Sequence, residues 1–490
     1  MKNQYNWSRV YRSIFNATLL LIALFSCRPK FYEIPPAPAA SAGTADFTKY
    51  VAVGSTITAG FMDDALYNEG QANSYPNLLA QKFKETKGDV IFGQANINSE
   101  FGWSGKNNLG KRVLFQDTCR SVSFQSVAKP SSETTVKPFE GDRSSITNLS
   151  VPFITLANIN KPSVGTTTAF NNPKLYFENI VEPGSLGIAS EARKRNGTFF
   201  TVWLGYVDAL RYATSGGTTA LPTTQEFTNS YKALLDSILV SGKASGVIAN
   251  IPYVDQFAVI TNNNRRLTST SDPAKNPVRL TPEQANEFNT ALGVTFFKGT
   301  TGNSNNFAIS TGSGTIRPLN TSKDFVTRGA VLDSVGFGAI DAQRVRTCKG
   351  DQGQRLYIGF KTPIANKDVL DEEEVKNLRN QINSYNQALQ QIVEEYKSKG
   401  LRLGVVDLNG FYNRLTDPLL GIPYGNVIIR ANHPNLGPDF GGFYSLDRIT
   451  PTPKGQALIA NEFLKVINQV FGASFSLYSP DNFRGNTLPY

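Results

Sequence analysis

The chain has 490 residues, with 49 Lys and Arg against 39 Asp and Glu and a formal net charge of +10. Its basic residues are scattered among Asn, Thr and Ser, without the clustered stripe and interleaved aromatics of a nucleic-acid-binding protein, so that class is excluded. One histidine, His433, and three cysteines, Cys27, Cys119 and Cys348, supply no spacing that would hold a metal, and no metal or cofactor is expected.

Lys2, Arg9 and Arg12 precede an apolar run from Ala17 to Phe25 broken only by Thr18. A basic start and a short apolar stretch describe a signal peptide over 1–26, too short to span a bilayer as a mature helix. Leu24-Phe25-Ser26-Cys27 then resembles a bacterial lipobox, which implies cleavage before Cys27 and acylation of its thiol, hence attachment to a membrane through an N-terminal lipid. An ordinary signal peptide with an incidental cysteine is the alternative. Residues 27–47 carry Pro29, Pro35, Pro36 and Pro38 among Ala, Ser and Gly, and read as an extended tether. Beyond Cys27 only Cys119 and Cys348 remain, so one disulfide can form in an oxidising compartment, and the sequence leaves their pairing open.

The body, 48–475, opens with an apolar run, Lys49 to Val53, that ends at Gly54 and is followed by a helical pattern from Tyr75 to Lys87. Thr198 to Leu204 is a second strand, ended by Gly205. Phe227 to Val240 repeats apolar residues at helical spacing, and Gly246 to Pro252 is a further buried strand. Residues 88–146 and 255–365 read as insertions, the second rich in Asn, Thr and Gly. Asp371 to Glu374 suit a helix N-terminus rather than a metal or general-acid pair, and the helix should run to Lys399 before Gly400. Leu403 to Leu408 is a strand, Pro453 to Phe471 a closing amphipathic helix, and 476–490 a C-terminal tail. Strands alternating with helices imply an α/β fold with a parallel sheet covered on both faces. No internal repeat is evident, which excludes solenoids and propellers.

The stretch Gly54-Ser55-Thr56-Ile57-Thr58-Ala59-Gly60 after the first strand resembles the first block of the SGNH/GDSL hydrolases. Asn148 to Phe153 resembles the second block, Trp203 to Asp208 the third, and Asp447 to Gly455 the last, all in family order. Asn73-Ser74-Tyr75-Pro76-Asn77-Leu78-Leu79, Ala213 to Gly217 and Ala460 to Phe463 are similar to envelope lipoproteins of this family in Bacteroidetes-type bacteria. The resemblance implies a three-layer α/β/α, flavodoxin-like fold with large loop insertions.

It also implies a site, and the site is degenerate. Thr56 stands at the position of the family's nucleophilic serine, Phe153 at that of a glycine whose N–H serves the oxyanion, Val207 at that of an asparagine donor, and Thr450 at that of the histidine base. Asp447 alone matches. Val207 has no polar atom to replace the lost donor, and a threonine hydroxyl cannot act as base near neutral pH. His433 is the one residue that could serve as a substitute base. The expected function is a non-catalytic binding or scaffold lipoprotein at the outer membrane, a subunit of a β-barrel complex for transport, export or barrel assembly. The alternatives are an esterase or lipase-like hydrolase using Thr56 with His433, and a glycan- or lipid-binding protein using the old cleft.

Overall fold

Tyr50, Val51, Ala52 and Val53 are apolar without alternation, as a strand covered on both faces requires, and in the computed structural model they form β1 (Tyr50–Gly54), buried at every position. Four more strands lie parallel in the same sheet: β2 (Asn148–Ser150), β3 (Phe199–Trp203), β4 (Ser245–Ala249) and β5 (Leu403–Val406). Their spatial order is β5-β4-β3-β1-β2, so the progression reverses between β1 and β3. At such a reversal the loops leaving the strands diverge, opening a crevice at the carboxyl ends of the sheet. The structure describes residues 39–486 apart from 105–108, 118–122, 131–138, 165–172, 240–241, 243, 262–279, 300–304, 328–358, 361, 418, 425–426 and 430–441. Cys27, Cys119, Cys348 and His433 lie outside the described residues.

Seven helices frame the sheet: α1 (Tyr75–Lys87), α2 (Ile188–Arg195), α3 (Tyr206–Thr214), α4 (Thr224–Ile238), α5 (Glu372–Ser398), α6 (Leu408–Thr416) and α7 (Pro453–Phe471). α1 and α7 pack together on one face, where Phe47, Phe83, Phe199, Phe471 and Phe475 meet edge-on and stacked. α2, α3, α4 and α5 contact one another on the other face, with Phe227 of α4 stacked on Tyr385 of α5 at 4.3 Å. The result is three layers, helices, sheet and helices. Among the described residues no helix is long and apolar enough to cross a membrane.

Capping sets the helix starts. Asp371 accepts from the N–H of Glu374 while the Glu374 carboxylate accepts from Asp371, so α5 begins where the acidic run predicts and ends at Ser398. The same box between Thr223 and Glu226 starts α4 at Thr224, three residues before the first periodic apolar residue.

Ala40–Tyr490 forms one unit. The last residues of the expected tether therefore belong to the body: Thr44 N–H donates to Phe471 O at 2.8 Å, and Phe47 is buried among the phenylalanines. The expected tail is also pinned. Asn461 of α7 exchanges two hydrogen bonds with the main chain of Tyr478 (2.9 and 2.7 Å), and Arg484 pairs with Glu69. The second insertion carries a hydrophobic cluster of its own, with Phe288, Phe297, Phe307 and Phe360 at its centre.

Candidate functional site

Gly54 closes β1 because a Cβ there would meet the Thr58 hydroxyl at 2.1 Å. The chain then coils through Ser55, Thr56 and Ile57, with Ala59 N–H donating to Ser55 O at 2.9 Å and Phe61 N–H to Thr56 O at 3.2 Å. Thr56 is only 1% exposed. The loop after β2 folds over it. Phe153 takes φ +62°, the left-handed region that favours glycine, and its main-chain N–H donates to Thr56 Oγ1 at 2.9 Å. Ser55 Oγ staples the same two loops through the carbonyls of Ile154 (3.0 Å) and Val151 (3.3 Å). The Phe153 ring meets Phe61 edge-on at 5.1 Å.

At the end of β3, Gly205 turns into α3 with φ +94°, and a Cβ there would press on Ile251 and Phe227. The helix start places Tyr206, Val207 and Asp208 toward the core. Tyr206 OH accepts the Ile57 N–H at 2.8 Å and lies beside the Thr56 and Ser55 hydroxyls, and burial pushes its phenol pKa up. Val207 is buried and offers no polar group. Asp208 accepts the Leu156 N–H at 2.9 Å; burial pushes its carboxyl up to about 6, against the lowering effect of that bond.

The last block forms a tight turn. Asp447 accepts the N–H of Ile449 (2.8 Å) and of Thr450 (2.7 Å) at Oδ1, and the N–H of Asp64 (3.2 Å) and the Thr450 hydroxyl at Oδ2. Burial pushes its carboxyl up to about 6, opposed by these donors. Its neighbour Ser445 accepts the Asp63 N–H at 3.0 Å, and the Asp63 carboxylate accepts from Leu446 N–H (3.0 Å) and Tyr67 OH (2.6 Å). Asp447 thus holds the turn together and bonds it to the 63–64 loop beyond β1.

Thr56 and Phe153 meet through their hydrogen bond where the strand order reverses, and Val207 lies at the start of α3 next to Tyr206, whose hydroxyl binds Ile57 N–H. Asp447 and Thr450 reach the same end of the sheet, near enough for the Asp447 charge to raise Tyr206 further. Tyr206 is the member that block comparison misses. It sits between Gly205 and Val207, and its only sequence signal is a tyrosine at the start of a helix that follows a buried strand.

Among the described residues, the polar groups around Thr56 and Thr450 are already bonded to one another. Thr450 is 0% exposed with its hydroxyl bound to Asp447, and the Thr56 hydroxyl sits among hydroxyls and an amide, with no base in contact among the described residues. A donor aimed at a developing oxyanion must point at the substrate; here the Phe153 N–H is engaged by the Thr56 side chain. A cavity of about 20 Å³ lies alongside, lined by Asn148 and Ser150, whose Oδ1 and Oγ are buried without partners, and it has room for about one water. Among the described residues no group of three or more His, Cys, Asp or Glu could hold a metal ion. No protein-family model and no curated protein matches the chain.

Proposed function

We propose that this chain is a non-catalytic protein of the SGNH-hydrolase fold, anchored to the outer membrane by acylated Cys27 and acting as a binding or scaffold subunit of an outer-membrane β-barrel complex. The observation that carries the non-catalytic part is the Phe153 N–H bonded to the buried Thr56 hydroxyl. A buried nucleophile that already receives a main-chain hydrogen bond and touches no base among the described residues lacks, among those residues, the proton acceptor, the free donor and the access that acyl transfer needs. The α/β/α layers and the positive φ at Phe153, where the family has glycine, support the fold resemblance. The anchor rests on the Leu24 to Cys27 motif alone, and the assembly role on the anchor together with the buried Thr56 site.

Two measurements test the reading. The purified chain should turn over no short-chain aryl ester above background, and Thr56→Ala and His433→Ala should change nothing; turnover abolished by either substitution would establish an enzyme. Gentle detergent extraction of membranes should yield the chain with labelled palmitate at Cys27 and in stoichiometric association with a β-barrel protein. Recovery of an unlabelled monomer would reject both the anchor and the assembly.

A further inference from the structure

Beyond β4, which lies two strands from β1 in the sheet, the chain passes through Tyr253 into a single 3-10 turn, Val254–Gln256. Asp255 in that turn is 1% exposed. Its Oδ2 accepts Nε (3.0 Å) and Nη2 (2.6 Å) of Arg379 from α5, while its Oδ1 is buried with no hydrogen-bond partner. The Arg379 side chain is 43% exposed, and its guanidinium lies 5.3 Å from the Tyr253 ring centroid, so the arginine is braced on one side and open on the other. Both residues line a hollow of about 410 Å³, within the ~300–1,000 Å³ usual for small-molecule sites.

The rest of the lining decides what fits. Gln256 and Asn413 contribute planar amides, and among the described residues each makes one side-chain hydrogen bond through its functional group: Gln256 Oε1 accepts from Thr416, and Asn413 Nδ2 donates to Asn409. That leaves the Gln256 amide N–H groups as donors and the Asn413 carbonyl as an acceptor. Phe325 adds a half-buried aromatic ring. A cationic ligand would meet the Arg379 guanidinium, and an anionic one the carboxylates of Asp255 and Asp417. A neutral ligand rich in hydroxyl groups avoids both conflicts and accepts from the open side of the Arg379 guanidinium, which Asp255 holds in place.

We infer that this hollow is a binding site for a neutral sugar, with Asp255 and Arg379 as its polar floor and Gln256, Asn413 and Phe325 as its walls. It is separate from the Thr56 site and independent of the anchoring and assembly proposed above.

The experiment uses the full chain in a detergent without a sugar headgroup. It is titrated with glucose, galactose, N-acetylglucosamine, cellobiose and lactose by calorimetry, and saturation-transfer NMR reports which ligand protons contact the protein. At least one sugar should bind saturably with a dissociation constant in the micromolar to millimolar range. Asn413→Ala and Gln256→Ala should each weaken it fivefold or more with an unchanged melting temperature. Asp255→Asn should weaken it more, and the two amide variants keep the test valid if that protein does not fold. Failure of all five sugars to bind, equal binding by both amide variants, or tighter binding of inorganic phosphate or ethanolamine than of any sugar would each overturn the inference. None of these results would bear on the ester-turnover or copurification tests.

Discussion

The main-chain N–H of Phe153 donates to Oγ1 of Thr56 at 2.9 Å, across 97 residues of sequence, and both groups are buried. This bond joins the loops that leave β1 and β2. It also places the hydroxyl at Thr56 in a structural role. Thr56→Val keeps the shape and removes the acceptor, leaving a buried N–H without a partner, and should cost about 1–3 kcal/mol. Thr56→Ser keeps the acceptor and loses one methyl group, for about 1 kcal/mol, and should show no ester turnover. Urea denaturation of the two variants checks the order, and a Val variant as stable as the Ser variant would show that the bond carries no weight.

Phe153 combines an unfavourable backbone with a favourable side chain. Its φ of +62° carries a penalty of roughly 1–2 kcal/mol for any residue with a Cβ, whereas its ring packs against Phe61 in the core. Phe153→Ala loses the ring and keeps the backbone penalty, so it should be destabilised by about 3–5 kcal/mol. Phe153→Gly loses the ring and sheds the penalty, and should be about 1 kcal/mol more stable than the Ala variant, the reverse of the usual order for these two residues. Equilibrium denaturation of both proteins decides it; an Ala variant at least as stable as the Gly variant would contradict the backbone assignment.

The alternation of buried strands with amphipathic helices makes the layered parallel sheet readable from the sequence, because each of those signals is local. Helix α7 begins and ends where Pro453 and Gly472 place it, and α5 starts at its acidic run. Strand β2 is three residues long, too short to show a period, and α2 is a single charged stretch whose burial comes only from packing. Thr56 and Thr450 lie in turns whose Gly and Pro residues are visible in the sequence, Gly54 and Gly60 around the first and Pro451 beside the second. What those side chains do is not visible there. The Thr56–Phe153 bond and the Ser445–Asp63 bond, the latter across 382 residues, depend on tertiary approach and leave no local pattern. Residues 40–47 read as the end of the tether for a related reason: their Ala, Ser, Gly and Thr composition is that of a linker, and tertiary contacts, Thr44 N–H on the Phe471 carbonyl and Phe47 among the phenylalanines, make them a docked segment.

Asp208 makes stability depend on pH. Burial raises its folded pKa from 3.8 to about 6, so the stabilising effect of its bound proton is complete below about pH 4 and is lost as the pH rises toward 6. Above that the folded state holds a buried carboxylate at a cost of about 3 kcal/mol relative to the unfolded chain. Asp208→Asn keeps an oxygen for the Leu156 N–H and does not titrate. It should match the parent near pH 4 and exceed it by up to about 3 kcal/mol near pH 7. Denaturation curves at the two pH values measure the difference, and a gap that stays constant with pH would rule out the raised pKa.

Asp447 separates a structural residue from an inherited one. In the SGNH/GDSL hydrolases that the 447–455 stretch resembles, an aspartate orients a histidine, and a carboxylate with that role alone could be removed from this chain without effect. The structure instead has Asp447 accepting from three main-chain N–H groups and one hydroxyl, linking the 447–450 turn to Asp64 beyond β1. Asp447→Ala should therefore cost about 2–4 kcal/mol, since several donors at once lose their acceptor. Thr450→Val, which removes one donor and leaves the three N–H bonds, should cost about 1 kcal/mol. Hydrogen exchange at the amides of Asp64, Ile449 and Thr450 gives a readout that global stability does not. These amides should lose protection together in Asp447→Ala and keep it in Thr450→Val. If protection survives in Asp447→Ala, the carboxylate is not what holds the two loops together.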